Sequence, residues 1–107
     1  MINYKFNFKG RKIEIDLKKC GGIMQGMGLM FRTGETEALL FEMKNKAIHS
    51  LFCPRFLAVW LDEKDNVVDY KLVKSWKGYI KSNRDFSKLI EIPVGKRYKA
   101  ILKVFKY

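Results

Sequence analysis

Ile2-Asn3-Tyr4-Lys5-Phe6-Asn7-Phe8-Lys9-Gly10-Arg11-Lys12-Ile13-Glu14-Ile15-Asp16-Leu17 decides the fold class. Apolar side chains fall at every second position on both sides of Lys9-Gly10-Arg11, where only strand periodicity puts them on one face. This is an antiparallel hairpin with one apolar side, closed by a glycine turn. Downstream, Ala38 to Met43 is a compact apolar run that reads as a buried strand. His49 to Cys53 and Leu57 to Leu61 read as further strand, interrupted at Pro54. Asp62-Glu63-Lys64-Asp65-Asn66 is a turn cluster, and Val67 to Val73 resumes strand, giving a second hairpin over 57–73. Lys88 to Ile92 is a short strand ending at Pro93-Val94-Gly95. In 96–107, Tyr98, Ile101, Leu102 and Phe105 share a helical face, yet a strand reading fits equally. Gly22, Gly26 and Gly28 allow no more than a short helical turn inside a loop over 22–31.

The whole is expected to be mainly β (α+β): a small antiparallel barrel-like or sandwich-like domain with one or two short helical turns. At 107 residues the chain makes one domain, 1–107, large enough to bury about two thirds of its unfolded surface. No apolar run approaches the ~20 residues a bilayer-crossing helix needs. The first residues, Met1-Ile2-Asn3-Tyr4-Lys5, lack the apolar core of a secretory signal, so a cytoplasmic location with no membrane partner is expected. Cys20 and Cys53 form no CxxC pair and are expected to be reduced, with Cys53 buried.

Lys and Arg number 22 against 11 Asp and Glu, and the net charge is +11. The excess is concentrated: residues 71–107 hold eleven cations against Asp85 and Glu91. Such a segment attracts polyanions through its field and through counterion release. Seventeen of the cations are Lys and five are Arg. That bias fits a solvated lysine surface better than base recognition, which favours the Arg fork. Within the segment, Lys71, Lys74, Lys77, Lys81 and Arg84 interleave with Trp76 and Tyr79. Binders of single-stranded nucleic acid combine cations and stacking rings in this way. Lys77-Gly78-Tyr79 echoes the start of an RNA-recognition motif, but Ile80 and Lys81 break it.

Other chemistry is thinly supported. His49 is the sole histidine and a general base only if it meets Glu91, Asp62 or a hydroxyl such as Ser50. No Gly-x-Ser-x-Gly elbow accompanies it. Met24, Met27 and Met30 near Cys20, with His49 and Cys53, would suit Cu(I), but methionine as a core filler accounts for them more simply. No zinc spacing exists, so no metal and no cofactor is expected. Gly26-Met27-Gly28 begins like a dinucleotide loop, but Phe31 stands where the third glycine belongs.

Four stretches in order resemble one family. They are Gly28-Leu29-Met30-Phe31-Arg32, Ile48 to Cys53 with Val59-Trp60-Leu61-Asp62, Val73-Lys74-Ser75-Trp76-Lys77, and Leu89-Ile90-Glu91-Ile92-Pro93-Val94-Gly95. Over residues 12–95 the chain is similar to domain-of-unknown-function family 192, a bacterial and archaeal family. The resemblance implies a compact, largely β, barrel-like domain with no established reaction, cofactor or substrate. Three departures stand out. Cys53 replaces the family's Met after the His motif, Leu57 or Ala58 its Asp, and Ser75 the Pro before Trp. Because Trp76 falls in the family pattern, it is expected to be structural and packed inward.

The leading expectation is a non-enzymatic module, monomeric, binding a small ligand or protein in a groove near Arg32, His49 and Trp76. The motifs lie in loops, where binding residues concentrate. The alternative is nucleic-acid association through 71–107, using Lys71, Lys74, Trp76, Lys77, Tyr79, Lys81 and Arg84. An enzyme using His49 ranks third.

Overall fold

A computed structural model describes residues 1–21, 28–30 and 32–107. It contains β1 (Ile2–Phe8), β2 (Arg11–Cys20), β3 (Ala38–Glu42), β4 (Phe56–Leu61), β5 (Val67–Val73), β6 (Lys88–Pro93) and a short α1 (Lys99–Val104). The six strands form one sheet in the order β1-β2-β3-β6-β4-β5, curled into a half-barrel. The protein is mainly β, as the alternation predicts. The sheet is mixed, however: β2 runs parallel to β3, with Leu17 beside Ala38 and Cys20 beside Phe41. The other pairings are antiparallel, and β6 lies between β3 and β4.

Pleating sends successive side chains to opposite faces. In β1 and β2 only one face is covered, so Phe6, Phe8, Ile13, Ile15 and Leu17 are buried between exposed neighbours. The inner strands are covered on both sides, which is why they read as continuous apolar runs. Ala38 and Leu40 of β3 join one core with Leu57, Val59, Ile90 and Ile92. Leu39 and Phe41 join a second with Phe56, Ala58, Trp60 and Leu89. The segment at 96–107, open between helix and strand, is helical at Lys99–Val104. Tyr98, Leu102 and Phe105 close the first core. The Tyr98 hydroxyl accepts from Ala38 N (2.8 Å) and donates to Asp16 O (2.6 Å), joining the parallel strands β2 and β3.

The two sheet edges meet. Asn7 of β1 forms a bridge with Asn66, and its N–H donates to Asp65 O at 2.8 Å. The Tyr4 hydroxyl donates to Asp65 Oδ1, as does Lys88 Nζ at 2.7 Å. The Phe105 ring lies across the same seam, 4.4 Å from Phe8 of β1 and 5.0 Å from Tyr70 of β5 between ring centres. Gly95 has a steric reason to be glycine, since a Cβ there would overlap the carbonyl oxygen of Gly34. Cys20 and Cys53 are free and buried. Among the described residues, no helix is long and apolar enough to cross a membrane.

The second core is roofed by turns, not by strand. The expected strand at His49–Cys53 is absent: Ile48 bridges Ile80 and the chain then turns. The reason lies in the backbone, because Phe52 takes a positive φ of 58° that ends any ladder. The helical turn expected within 22–31, with Met24 and Met27, lies mostly outside the described residues. Gly28, Leu29 and Met30 form a turn with Leu29 fully buried.

Candidate functional site

Ser50 organises the turn that carries Lys74, Trp76 and Lys77. It is fully buried and ties the 50–53 turn to the 74–77 turn. Its hydroxyl donates to Lys74 O (2.6 Å) and accepts from Lys77 N (2.8 Å). Its N–H donates to Lys77 O, while its carbonyl accepts from both Trp76 N and Cys53 N. Every polar atom of one small residue is therefore used to hold two turns back to back. Ser50→Ala deletes two of these bonds and strands Lys74 O and Lys77 N, so a loss of about 2 kcal/mol is expected. Chemical denaturation of the variant checks it.

The knot supports an aromatic outcrop. Trp76 is 63% exposed and Tyr79 72%, while Phe52 is 48% exposed with its ring edge-on to Trp76 at 4.7 Å. The expectation of an inward Trp76 is thus overturned; a φ of 67° turns its side chain out of the roof. A bulky residue with positive φ costs on the order of 1–3 kcal/mol, and such strain gathers at functional positions. Here two aromatic residues, Phe52 and Trp76, carry it side by side. Phe52 is the member that the sequence reading missed.

On the loop that carries Trp76 and Tyr79, Lys74, Lys77, Lys81 and Arg84 are exposed and form no ion pair among the described residues. Lys71 belongs elsewhere. Its ammonium donates to Lys81 O at 2.8 Å and sits 5.8 Å from the Trp60 ring centre, fixing the far end of the loop. Asp69 does similar work, accepting from Ser82 Oγ and Asn83 N.

Arg32, expected beside His49 and Trp76, is engaged by Glu37 (3.1 Å) and Thr36 (3.3 Å). Glu37 is held below the usual carboxylate range, first by its own backbone amide and then by Thr36 and Arg32 against a burial penalty. His49 Nδ1 accepts from Leu51 N at 3.2 Å, which leaves the ring proton on Nε2. Two partners considered for His49 are committed: Ser50 to the knot, and Asp62 to Lys64 N and Asn66 N within its own turn. Among the described residues, no group of three or more His, Cys, Asp or Glu side chains could hold a metal ion.

Glu91 is the other unusual group. It is 5% exposed at the centre of the sheet, flanked in register by Leu39 and Ala58. Burial alone pushes its carboxyl up to about 8. Gly28, at φ 50°, lies so close that a Cβ there would stand 3.0 Å from Glu91 Oε1. Burial also raises the Cys53 thiol to about 11, with Glu91 adding to the shift. An open cleft of about 600 Å³ is lined by Lys44, Asn45, Asp62, Glu63, Asp85 and Phe86, among others. No family model matches the chain, and no curated protein or solved structure matches it either.

Proposed function

We propose that the protein is a non-enzymatic binding module that receives its partner on the Phe52–Trp76–Tyr79 outcrop. The observation that carries this reading is Trp76: a large ring held in solvent, at a backbone cost, by a buried knot of hydrogen bonds. Water-exposed tryptophan is costly to maintain and is enriched where partners bind. On the same loop, exposed Lys74, Lys77, Lys81 and Arg84 outnumber the exposed carboxylate Asp85, so an anionic partner is favoured. Membership of domain-of-unknown-function family 192 is part of the proposal, supported by the four motifs in order. Each of the four motifs contributes one residue with a specific place in the fold: Gly28, Ser50, Trp76 and Gly95.

Amide-resolved NMR titration with tripolyphosphate, a hexaglutamate peptide and a uridine tetranucleotide tests the surface. At least one probe is expected to shift residues 50–53 and 74–79 most strongly. Silence there with every probe, or shifts confined to the cleft at Lys44, Asp62 and Phe86, would overturn the proposal.

A further inference from the structure

We infer that the partner is a single-stranded nucleic acid, whose bases stack on Trp76 and Tyr79 while Lys74, Lys77, Lys81 and Arg84 follow its phosphates. The inference rests on the outcrop being the contact surface, and it names what that surface takes.

Three observations carry it. First, the rings are exposed: Trp76 and Tyr79 are the two most exposed aromatic side chains of the described residues, three positions apart on one loop. Phe52 meets Trp76 edge-on and buttresses it, which leaves Phe52 as a support and Trp76 as the platform. Second, the cations lie within the same loop and have no carboxylate partner among the described residues. Binding then releases counterions without first breaking internal ion pairs. Third, the loop is preformed. Ser50 fixes its start, and Asp69, through Ser82 and Asn83, fixes its end. A strand laid on it meets little ordering cost.

Other anionic partners use less of this surface. An acidic peptide would satisfy the lysines but leave two flat rings without a counterpart. Duplex DNA is read by an element that enters a groove, whereas this surface is a blunt turn and the helix of the described residues, Lys99–Val104, is six residues long. Unstacked bases are the anionic ligand with flat π-faces at regular spacing, and stacking on tryptophan or tyrosine is tolerant of sequence. The scarcity of Arg on the surface agrees, since lysine supplies charge without reading bases.

Fluorescence anisotropy with labelled rU12 and dT12, against a 12-base-pair duplex and heparin, tests the inference. Both single strands are expected to bind at 50 mM salt and to outcompete the duplex. With four cations engaged, log K should fall against log salt with a slope of about −3. Trp76→Ala should weaken binding about 5- to 100-fold, while Trp76→Phe retains a ring and most of the affinity. Stacking should also quench the emission of Trp76, and Trp76→Phe, which leaves only buried Trp60, should abolish that quenching. A folded Trp76→Ala variant is recognised by unchanged Trp60 emission.

Equal binding of duplex and single strand, or affinity unchanged in folded Trp76→Ala, overturns the inference. Oligonucleotides that fail to bind, while hexaglutamate shifts the 50–53 and 74–79 amides, overturn the nucleic-acid assignment and leave the contact surface standing. Silence with all probes removes both.

Discussion

Thermal stability is expected to fall steadily as pH rises from about 5 to 8, and Glu91→Gln to flatten that slope. Glu91 is buried on both sides of its strand, without a cation paired to it among the described residues. Its carboxyl titrates near 4.5 in the unfolded chain and near 8 when folded. Between those values the folded state holds the proton more tightly, so each rise in pH favours unfolding. Over that window the linked loss is on the order of 4 kcal/mol, a large part of the stability of a domain this size. The depressed carboxylates act elsewhere on the pH axis. Glu37 and Asp62 add stability that is lost only as pH falls through their lowered values, below the 4.5 and 3.8 of the free groups. Cys53 begins a second decline above pH 9, where the unfolded thiol ionises before the folded one. Melting curves at half-unit pH steps separate the windows. A Glu91→Gln protein that kept the slope between pH 5 and 8 would show another group to be responsible.

Phe105→Ala is expected to cost about 3–5 kcal/mol. The ring is 2% exposed and stacks on Phe8 while meeting Tyr70 edge-on, so its removal opens a cavity at the seam between the first and last strands of the sheet. Neither edge can collapse to fill it, since Asn7 and Asp65 set their separation by backbone hydrogen bonding. Denaturant unfolding reads the loss, and a cost below 1 kcal/mol would show that the seam does not depend on the helix. Phe105→Leu keeps volume and should recover a good part of the stability.

The strands were legible wherever one rule governed them. Alternation at 2–17 gave the hairpin, and the apolar runs at 38–43 and 57–61 gave two inner strands. Their neighbours were not legible: β6 enters between β3 and β4 through pairings some thirty to fifty residues apart in sequence, which no local pattern records. The parallel pairing of β2 with β3 is hidden for the same reason. Residues 49–53 misled because Cys53 is buried while Leu51 and Phe52 are exposed, and a positive φ at phenylalanine has no sequence signal. Trp76 misled in the same way. The basic aromatic stretch at 71–84 was visible as composition. What composition could not show is that Lys71 is spent on Lys81 O and Trp60. Glu91 was hidden by its own alternation. In Leu89-Ile90-Glu91-Ile92 it occupies what a one-faced strand would turn to water, and only the roof of turns makes that side an interior.

The central place of β6 has a consequence for how the molecule comes into being. A ribosome delivers β3 and β4 before the strand that joins them, so both present bare hydrogen-bonding edges until Lys88–Pro93 has emerged. Unpaired edges of this kind recruit other chains. Synthesis that stalls before residue 88 would therefore leave a sticky precursor in two pieces, not a shortened barrel.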